Sequence, residues 1–244
     1  MAEILQTTFQ VRSYDVDAFG YLSPSALAGF LQESAGRSAD SLGFGVSELN
    51  RKGFTWVLVR EHFELDEAIR IGDVITLQTW ASGIARRAAL RDFRILKETR
   101  EVGRALTSWL VLDLTSRRPV RPQEFLPETL YAETPHVLPV NGASIPSVDS
   151  PAIERSFRVR FSDIDANLHV TNTSYVEWMV EAIGEEIWRS RWLSAMDIQF
   201  MFECSLGSDV KSRSVSLEAQ ALHSIIREQD SKELARARSI WKPR

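Results

Sequence analysis

Apolar and polar positions follow the same order in the two halves of the chain. In the first half, a strand-like stretch over Thr8 to Tyr14 leads through a polar turn into a helical pattern. Ser23 and Pro24 suit the start of that helix, because serine accepts from free backbone N–H groups and proline has no N–H to leave unpaired. The pattern predicts one long helix whose buried face carries Leu27, Phe30, Leu31 and Ala35.

The second half repeats this order. A strand-like stretch over Arg155 to Ser162 precedes a polar turn, and Thr171 or Asn172 could cap the helix that follows. After each helix come four segments rich in β-branched and aromatic residues, with turn signals between them. The pattern predicts an α+β protein in which an antiparallel sheet wraps a long helix, twice. The apolar stripe of the second helix comprises Tyr175, Met179, Ala182, Ile183 and Ile187.

The two halves align as an internal repeat. At an offset of 148 residues, the VR at 11–12 falls on the VR at 159–160, and DVDA at 15–18 falls on DIDA at 163–166. Between them, the stretch from Tyr131 to Pro151 holds four prolines and no sustained period, as a linker would. We therefore expect a division into an N-terminal half, a linker and a C-terminal half, over residues 1–132, 133–152 and 153–244.

Composition and charge narrow the classes of function. The 244 residues are 44% hydrophobic and 25% charged, which is ordinary for a soluble globular protein. A formal net charge of −4 does not favour nucleic acid as a partner. The single cysteine excludes an intrachain disulfide and fits a reducing compartment. Since there is also no signal-peptide pattern and no apolar run of roughly 18 residues, we expect a cytoplasmic protein without a membrane partner.

A polar cluster lies where the second helix begins. Asp165, Asn167 and His169 alternate, so an extended segment would place them on one face, and histidine can transfer protons near neutral pH. The helix N-terminus adds free N–H groups that favour developing negative charge. The competing interpretation is a solvated capping turn. The first half has Phe19 and Tyr21 at the positions equivalent to Asn167 and His169, which suggests that one half carries the site.

Two other features, the Glu203-Cys204 pair and the arginine clusters, each have a functional interpretation and a simpler structural one. Glu203 could orient water and Cys204 could be a nucleophile, although a surface charge and a buried core thiol are the common alternatives. Arginines cluster in three places and could hold phosphate or an acidic protein, although a solvated face is the usual explanation. The clusters are Arg86, Arg87, Arg91 and Arg94; Arg117, Arg118 and Arg121; and Arg189 and Arg191.

With these segments together, the chain resembles the acyl-acyl carrier protein thioesterases, especially bacterial relatives of the plant plastid enzymes. The specific part is Asp-x-Asn-x-His at 165–169, followed about 34 residues later by Glu203-Cys204. Broader likeness runs through VRSYDVDAFGYLSPSALAGFLQESA, WVLVREHFEL and RALTSWLVLDLTSRRPVRP. The resemblance implies a tandem hotdog fold, with a long central helix wrapped by an antiparallel sheet in each half. The plant enzymes carry a plastid-targeting extension, whereas this chain begins almost at its first strand, which favours a bacterial cytosol.

The resemblance also implies the site residues. Asp165, Asn167 and His169 match the family's aspartate, asparagine and histidine. Glu203 matches its catalytic glutamate, and Cys204 matches the adjacent cysteine. Asn172 and Tyr175 match the Asn-x-x-Tyr that follows the motif. No cofactor and no metal are implied.

The expected reaction is hydrolysis of the thioester between a fatty acyl chain and the phosphopantetheine arm of an acyl carrier protein, in fatty acid biosynthesis. Glu203, with His169 or Asp165, would activate water while Asn167 stabilises the oxyanion. In the alternative, Cys204 attacks with His169 as base. The water route is favoured because a neighbouring carboxylate disfavours a thiolate.

An arginine cluster should face the acidic carrier protein. The first-half helix face and sheet should line the acyl tunnel, with Leu27, Phe30 and Leu31 among the lining residues; the competing interpretation is that these three are plain core residues. The rival functions are an acyl-CoA thioesterase, a hotdog dehydratase and a non-catalytic acyl-binding hotdog protein. The sequence leaves open whether the chain acts alone or as a homodimer.

Overall fold

The computed structural model describes residues 4–127, 130–131, 134–140, 142–165 and 167–244. The boundary predicted at residues 132 and 133 lies outside these ranges. The first half contains the helices α1 (Pro24–Ser41) and α2 (Val46–Arg51). Its strands are β1 (Leu5–Gln10), β2 (Phe54–Leu65), β3 (Val74–Ala85), β4 (Ala88–Lys97), β5 (Arg100–Asp113) and β6 (Pro119–Val120).

The second half contains the helices α3 (Asn172–Glu181) and α4 (Glu185–Ser190). α3 packs against α1 and on the strands β9 (Asp209–Leu217) and β10 (Gln220–Arg227), and α4 contacts β8 (Arg191–Phe200). α1 packs on β1 and β3. Each half is thus a helix laid on an antiparallel sheet, and the predicted α+β tandem hotdog fold is confirmed. The strands of this half are β7 (Ile153–Arg158), β8 (Arg191–Phe200), β9 (Asp209–Leu217), β10 (Gln220–Arg227) and β11 (Lys232–Pro243).

The strand that opens each half is shorter than predicted. β1 ends at Gln10, and β7 ends at Arg158. The reason is a tight turn just beyond each strand. The backbone N–H and the guanidinium of Arg12 donate to the carboxylate of Asp15, and Arg160 does the same to Asp163.

α1 begins as its sequence predicts. Ser23 is the N-cap, its Oγ accepts from the N–H of Ala26 at 3.2 Å, and Pro24 is the first helical residue. The predicted apolar face is buried against the sheet. Gly29 of α1 faces α3, and a Cβ at this position would make ordinary van der Waals contact, 3.8 Å from Cγ2 of Thr173.

The prediction of one long helix in the second half is wrong. α3 ends at Glu181 and α4 begins after Gly184. The Oγ of Ser214 on β9 donates to the carbonyl of Ala182 at 2.6 Å, so this carbonyl turns toward the sheet as the helix stops. Thr171 is the N-cap of α3 but makes no side-chain cap bond; its Oγ1 lies 3.2 Å from that of Thr173.

The two halves share one sheet. Its strand order is β1-β3-β4-β5-β2-β8-β11-β10-β9-β7, with β6 paired to β5. β2 and β8 join the halves as antiparallel neighbours from Arg60↔Gln199 to Glu64↔Ala195. A two-pronged ion pair reinforces this seam, with Arg60 Nε and Nη2 donating to the two carboxylate oxygens of Asp197 at 2.8 and 2.6 Å.

The described part of the predicted linker lies against this sheet. The N–H of Val137 donates to Asp92 Oδ1 on β4 at 2.8 Å, and the N–H of Ile145 donates to Gln199 Oε1 on β8 at 2.8 Å. Farther along, the N–H of Val148 donates to an oxygen of β10, Ser224 Oγ, at 3.0 Å. These hydrogen bonds hold the segment against the sheet as it crosses from the first half to the second.

Candidate active site

The polar cluster before α3 is a hydrogen-bonded turn. Asp165 Oδ1 accepts the N–H of Asn167 at 2.8 Å and that of His169 at 3.2 Å, and the Asp165 N–H donates to the His169 carbonyl at 2.9 Å. Leu168 lies in the left-handed region with φ +64°. The expected extended segment with three side chains on one face is therefore wrong, and Asp165 is tied to the backbone of its own turn.

The first half contains the same turn. Asp17 Oδ1 accepts the N–H of Phe19 at 2.8 Å and that of Tyr21 at 3.0 Å, and the Asp17 N–H donates to the Tyr21 carbonyl at 2.8 Å. The left-handed position is Gly20, with φ +79°. The aspartate is thus a backbone-shaping residue in both halves.

The other aspartate of each turn is structural too. Hydrogen bonds from Arg12 lower the pKa of Asp15. At Asp163, burial opposes the charge, yet the hydrogen bonds from Arg160 outweigh that effect and the pKa is lowered. Below their unfolded pKa, both carboxylates would lose part of the stability that these pairs contribute.

His169 and Glu203 meet at the surface. His169 Nε2 lies 3.3 Å from Glu203 Oε2, and Glu203 extends from the loop that follows β8. The same Oε2 accepts from Arg117 Nη2 at 2.6 Å, and Arg227 Nη1 donates to the Glu203 carbonyl at 3.1 Å. The side chains of His169, Glu203 and Arg117 are each about one third to one half exposed, so solvent reaches this group.

The remaining residues of the matched motif fall into two groups. Asn167 is exposed beside the His169–Glu203 pair, and its Nδ2 lies 3.4 Å from Asp165 Oδ2. Cys204 is 0% exposed and belongs to the hydrophobic core, while its carbonyl accepts the N–H of Val170 at 3.1 Å. Asparagine, histidine and glutamate are therefore brought together, and the thiol is kept apart from them.

The Asn-x-x-Tyr pair supports the walls of the site. Asn172 Nδ2 donates to Gln32 Oε1 of α1 at 3.5 Å, and the Tyr175 hydroxyl donates to the Phe202 carbonyl at 3.5 Å. Burial raises the pKa of the Tyr175 hydroxyl, which keeps that group protonated. Tyr175 thereby fixes the loop that presents Glu203.

A cavity of about 980 Å³ runs inward from the His169–Glu203 pair, a volume suited to a small-molecule ligand. Strands of the first-half sheet form one wall. The α1 wall is made of small and polar residues, namely Gly29, Gln32, Glu33, Ala35, Gly36 and Ala39. The expectation that Leu27, Phe30 and Leu31 line the tunnel is wrong, because these side chains are on the opposite, core-facing side of α1.

One cation lies inside this cavity. Arg91 on β4 is only 8% exposed, and burial lowers its pKa to about 10. Its Nη1 donates to Ser38 Oγ at 2.9 Å and to Thr79 Oγ1 at 3.3 Å. Arg91 is therefore a buried residue of the cavity, and not a member of the surface cluster that the sequence predicted for Arg86, Arg87, Arg91 and Arg94.

Arg117 is the site residue that sequence reasoning placed elsewhere. It was grouped with Arg118 and Arg121 as a surface cluster, and it lies 86 residues from Glu203 along the chain. No local sequence pattern indicates a contact between Arg117 and Glu203. The arginine cluster marked Arg117 as a candidate functional residue, but it did not indicate the partner.

Within the described residues, no three His, Cys, Asp or Glu side chains converge as metal ligands would. The helices in the same part of the chain lack the combined length and hydropathy of a membrane span.

Fold and site together define a double hotdog protein with an acyl-sized cavity that opens at a histidine–glutamate pair. The chain belongs to the acyl-ACP thioesterase family. Residues 3–129 match the model of the family's N-terminal domain, and residues 147–243 match that of its C-terminal domain.

Individual relatives agree with this assignment. The chain is 28% identical over 265 residues to the chloroplastic palmitoyl-acyl carrier protein thioesterase of Gossypium hirsutum, covering 99% of this chain and 64% of that protein. It is 26% identical to the oleoyl-acyl carrier protein thioesterase 1 of Arabidopsis thaliana, covering 96% and 75%. The chain thus spans about two thirds to three quarters of these relatives.

Solved structures share the fold. An acyl-ACP thioesterase from Bacteroides thetaiotaomicron superposes with a TM-score of 0.88 at 23% identity, covering 98% of each chain. The 12:0-ACP thioesterase from Umbellularia californica gives 0.86 at 22% identity, covering 99% of this chain and 98% of that one.

Proposed function

We propose that the protein hydrolyses the thioester of a fatty acyl-acyl carrier protein and releases a free fatty acid, as part of fatty acid biosynthesis. The observation that carries this proposal is the His169–Glu203 pair at the mouth of an acyl-sized cavity. Membership of the family supports the reaction class. A cytoplasmic location fits the single, unpaired cysteine.

The two halves have different roles, one in binding the acyl chain and the other in catalysis. The half over residues 1–132 encloses the acyl chain beneath α1, and the half over 153–244 supplies Asn167, His169 and Glu203, with 133–152 as the connection. Within the described residues, small side chains of α1 face the cavity and leave room for a chain. In the second half, Trp178, Met179 and Trp241 fill the corresponding interior.

The reaction begins with water hydrogen-bonded to the contacting His169–Glu203 pair. One of these groups removes a proton as the water oxygen attacks the thioester carbon, and the carbonyl oxygen becomes an oxyanion. The Asn167 amide, together with backbone N–H groups in the first turn of α3, stabilises that charge. Collapse breaks the C–S bond, and the removed proton passes to the pantetheine sulfur.

Three residues have supporting roles in this scheme. Arg117 fixes the orientation of the Glu203 carboxylate through the 2.6 Å contact. Asp165 shapes the turn that presents Asn167 and His169, and takes no proton. Cys204 packs in the core and does not attack, since its side chain is fully buried.

The test is steady-state hydrolysis of matched acyl-ACP and acyl-CoA substrates by the wild type, Asn167→Ala and His169→Ala. We expect faster turnover on acyl-ACP and a loss of roughly 10²–10⁴-fold in kcat for the His169 variant, the usual contribution of a positioned proton-transfer group. Equal turnover on acyl-CoA would support that carrier instead. Tight acyl binding without product release would indicate a non-catalytic binding protein.

A further inference from the structure

The mouth of the cavity lies at a definite place on the molecule. His169, Glu203 and Arg117 surround it, and all three are partly exposed. A thioester that reaches these side chains on a flexible arm must enter here. The protein that bears the arm therefore contacts the surface around Arg117 and the turn at 165–169.

Two arginine-bearing hairpins lie at the same end of the first-half sheet. Ala89 of β4 pairs with Trp109 of β5, so the β3–β4 tip with Arg87 flanks the later part of β5. Asp113, the end of β5, is four residues beyond Trp109, and the β3–β4 tip likewise extends beyond Ala89, so both tips lie at the same end of the sheet. Arg118 follows in the β5–β6 turn beside Arg117, and Arg121 follows β6.

These arginines carry uncompensated charge. Arg87, Arg118 and Arg121 are exposed and form no ion pair within the described residues. The carboxylates of Asp113 and Glu124 lie on the same turns, and hydrogen bonds from Ser116 and Thr115 lower the pKa of Asp113, but within the described residues neither carboxylate forms an ion pair with these arginines.

One arginine in each of the other two clusters is ion-paired. Arg189 pairs with Glu185 at 2.7 Å, and Arg94 pairs with Glu101 at 3.5 Å. Since the chain as a whole has a net charge of −4, an unpaired basic face beside the cavity mouth is a local reversal of charge.

Leu168 adds an apolar contact to this face. Its side chain is 77% exposed, and its backbone has φ +64°, a conformation that costs a leucine roughly 1 kcal/mol or more. The equivalent turn of the first half has Gly20 there, so the fold itself has no need of leucine. Leu168 therefore presents an exposed apolar side chain between Asn167 and His169.

We propose that Arg87, Arg118, Arg121 and Leu168 form the docking face for an acidic acyl carrier protein. The inference rests on the proposed function, and charge complementarity selects the partner. The arginines attract the acidic surface of the carrier, and Leu168 contacts an apolar patch at the base of its phosphopantetheine arm. Docking on this face directs the arm toward Asn167, His169 and Glu203.

The experiment compares two substrates with the same acyl chain, acyl-ACP and protein-free acyl-pantetheine. The variants are Arg118→Glu/Arg121→Glu and Leu168→Gly, and the glycine suits the left-handed backbone. The control is Arg238→Glu, an exposed arginine on β11 without an ion pair in the described residues. For the double variant we expect about a tenfold rise in KM for acyl-ACP, with kcat and KM for acyl-pantetheine unchanged.

The remaining outcomes separate the two claims. Leu168→Gly should also raise KM for acyl-ACP alone, and added salt should raise wild-type KM for acyl-ACP while leaving the control variant like the wild type. An unchanged KM for acyl-ACP in the double variant, or equal losses on both substrates, would overturn the docking face. A wild type that cleaves acyl-pantetheine but not acyl-ACP would overturn the proposed function as well.

Discussion

Asp165 and Asp17 occupy equivalent places in two polar turns, and each accepts two backbone N–H groups. Only the second turn continues with asparagine and histidine. The comparison separates the residue that shapes the turn from the residues available for chemistry. Asp165 therefore acts through the positions of Asn167 and His169.

Substitution of Asp165 should reveal this positioning role. Asparagine retains an oxygen at Oδ1 that can accept both N–H groups, whereas alanine retains none. We expect Asp165→Asn to keep kcat within about tenfold of the wild type and Asp165→Ala to lose considerably more. Measured on acyl-ACP, an equally large loss in both variants would instead indicate that the negative charge itself takes part.

Arg117 has an unusual backbone as well as a contact with Glu203. Its φ of +56° suits glycine, so Arg117→Gly removes the guanidinium without adding backbone strain. We expect a fall in kcat of about tenfold or more, because Glu203 loses its orienting partner, with little change in the free energy of unfolding.

The matched control for Arg117→Gly is Glu98→Gly, another exposed left-handed residue, with φ +56°, in the β4–β5 turn. Both variants should unfold at similar denaturant concentrations, and the control should keep full activity. If both lost activity alike, or if Arg117→Gly kept it, the orienting role would be contradicted.

Glu61 and His223 are buried groups whose titration affects stability in opposite directions. Burial raises the pKa of Glu61 to about 7, so between about pH 4.5 and 7 the folded state binds more protons and stability falls as pH rises. Burial lowers the pKa of His223 to about 4, so between about pH 4 and 6.5 the unfolded chain binds more protons and stability rises with pH. In the wild type the two effects oppose each other.

Glu61→Gln should remove the contribution of Glu61 to the pH dependence of stability and leave that of His223. Because the amide does not titrate, the variant should gain about 3 kcal/mol in unfolding free energy relative to the wild type between pH 4.5 and 7.5. Urea denaturation across that range measures the difference. A difference between Glu61→Gln and the wild type that stayed flat across this range would refute the raised pKa.

At the scale of elements, α1 determines the shape of the cavity. One face carries large core residues, and the other carries Gly36 and Ala39 toward the cavity. A Cβ added at Gly36 would meet nothing within 4 Å, so the space there is open. Glycine at this position lowers the intrinsic stability of the helix and leaves space in the cavity.

Substitutions at Gly36 should separate stability from chain-length preference. Gly36→Ala should stabilise the fold by roughly 0.5–1 kcal/mol and leave the preferred acyl length unchanged. Gly36→Leu should fill the cavity and shift hydrolysis toward shorter chains. A chain-length series of acyl-ACP substrates gives the measurement, and an unshifted preference in the leucine variant would place the acyl chain elsewhere.

The elements also show where sequence patterns suffice. Helical spacing and the Ser23-Pro24 start define α1 because both signals are local. The end of α3 was missed because a serine of β9 captures the carbonyl of Ala182, a partner 32 residues away. Likewise, the lining of the cavity depends on which face of α1 meets the sheet, and both faces contain apolar residues.

At the scale of the whole molecule, one sheet runs through both halves. β2 and β8 join at the seam, and Arg60 and Asp197 close it with two hydrogen bonds. The repeat and the α+β class were predictable from the order of elements. The contact of Arg117 with Glu203 was not, because it depends on the packing of one half against the other.

Such a shared sheet should unfold as a unit. We expect tryptophan fluorescence and far-ultraviolet circular dichroism to give one coincident transition in denaturant, since separation of the halves would expose the paired edges of β2 and β8. Two resolved transitions would show that each half is stable alone.

The central claim is that Glu203 and His169 activate water while Cys204 remains a core residue. The most direct measurement is kcat for release of free fatty acid from acyl-ACP by Glu203→Gln, His169→Ala and Cys204→Ala. We expect Cys204→Ala to retain kcat within a few-fold, and the other two to fall by roughly 10²-fold or more. A Cys204→Ala enzyme as inactive as His169→Ala would contradict the claim.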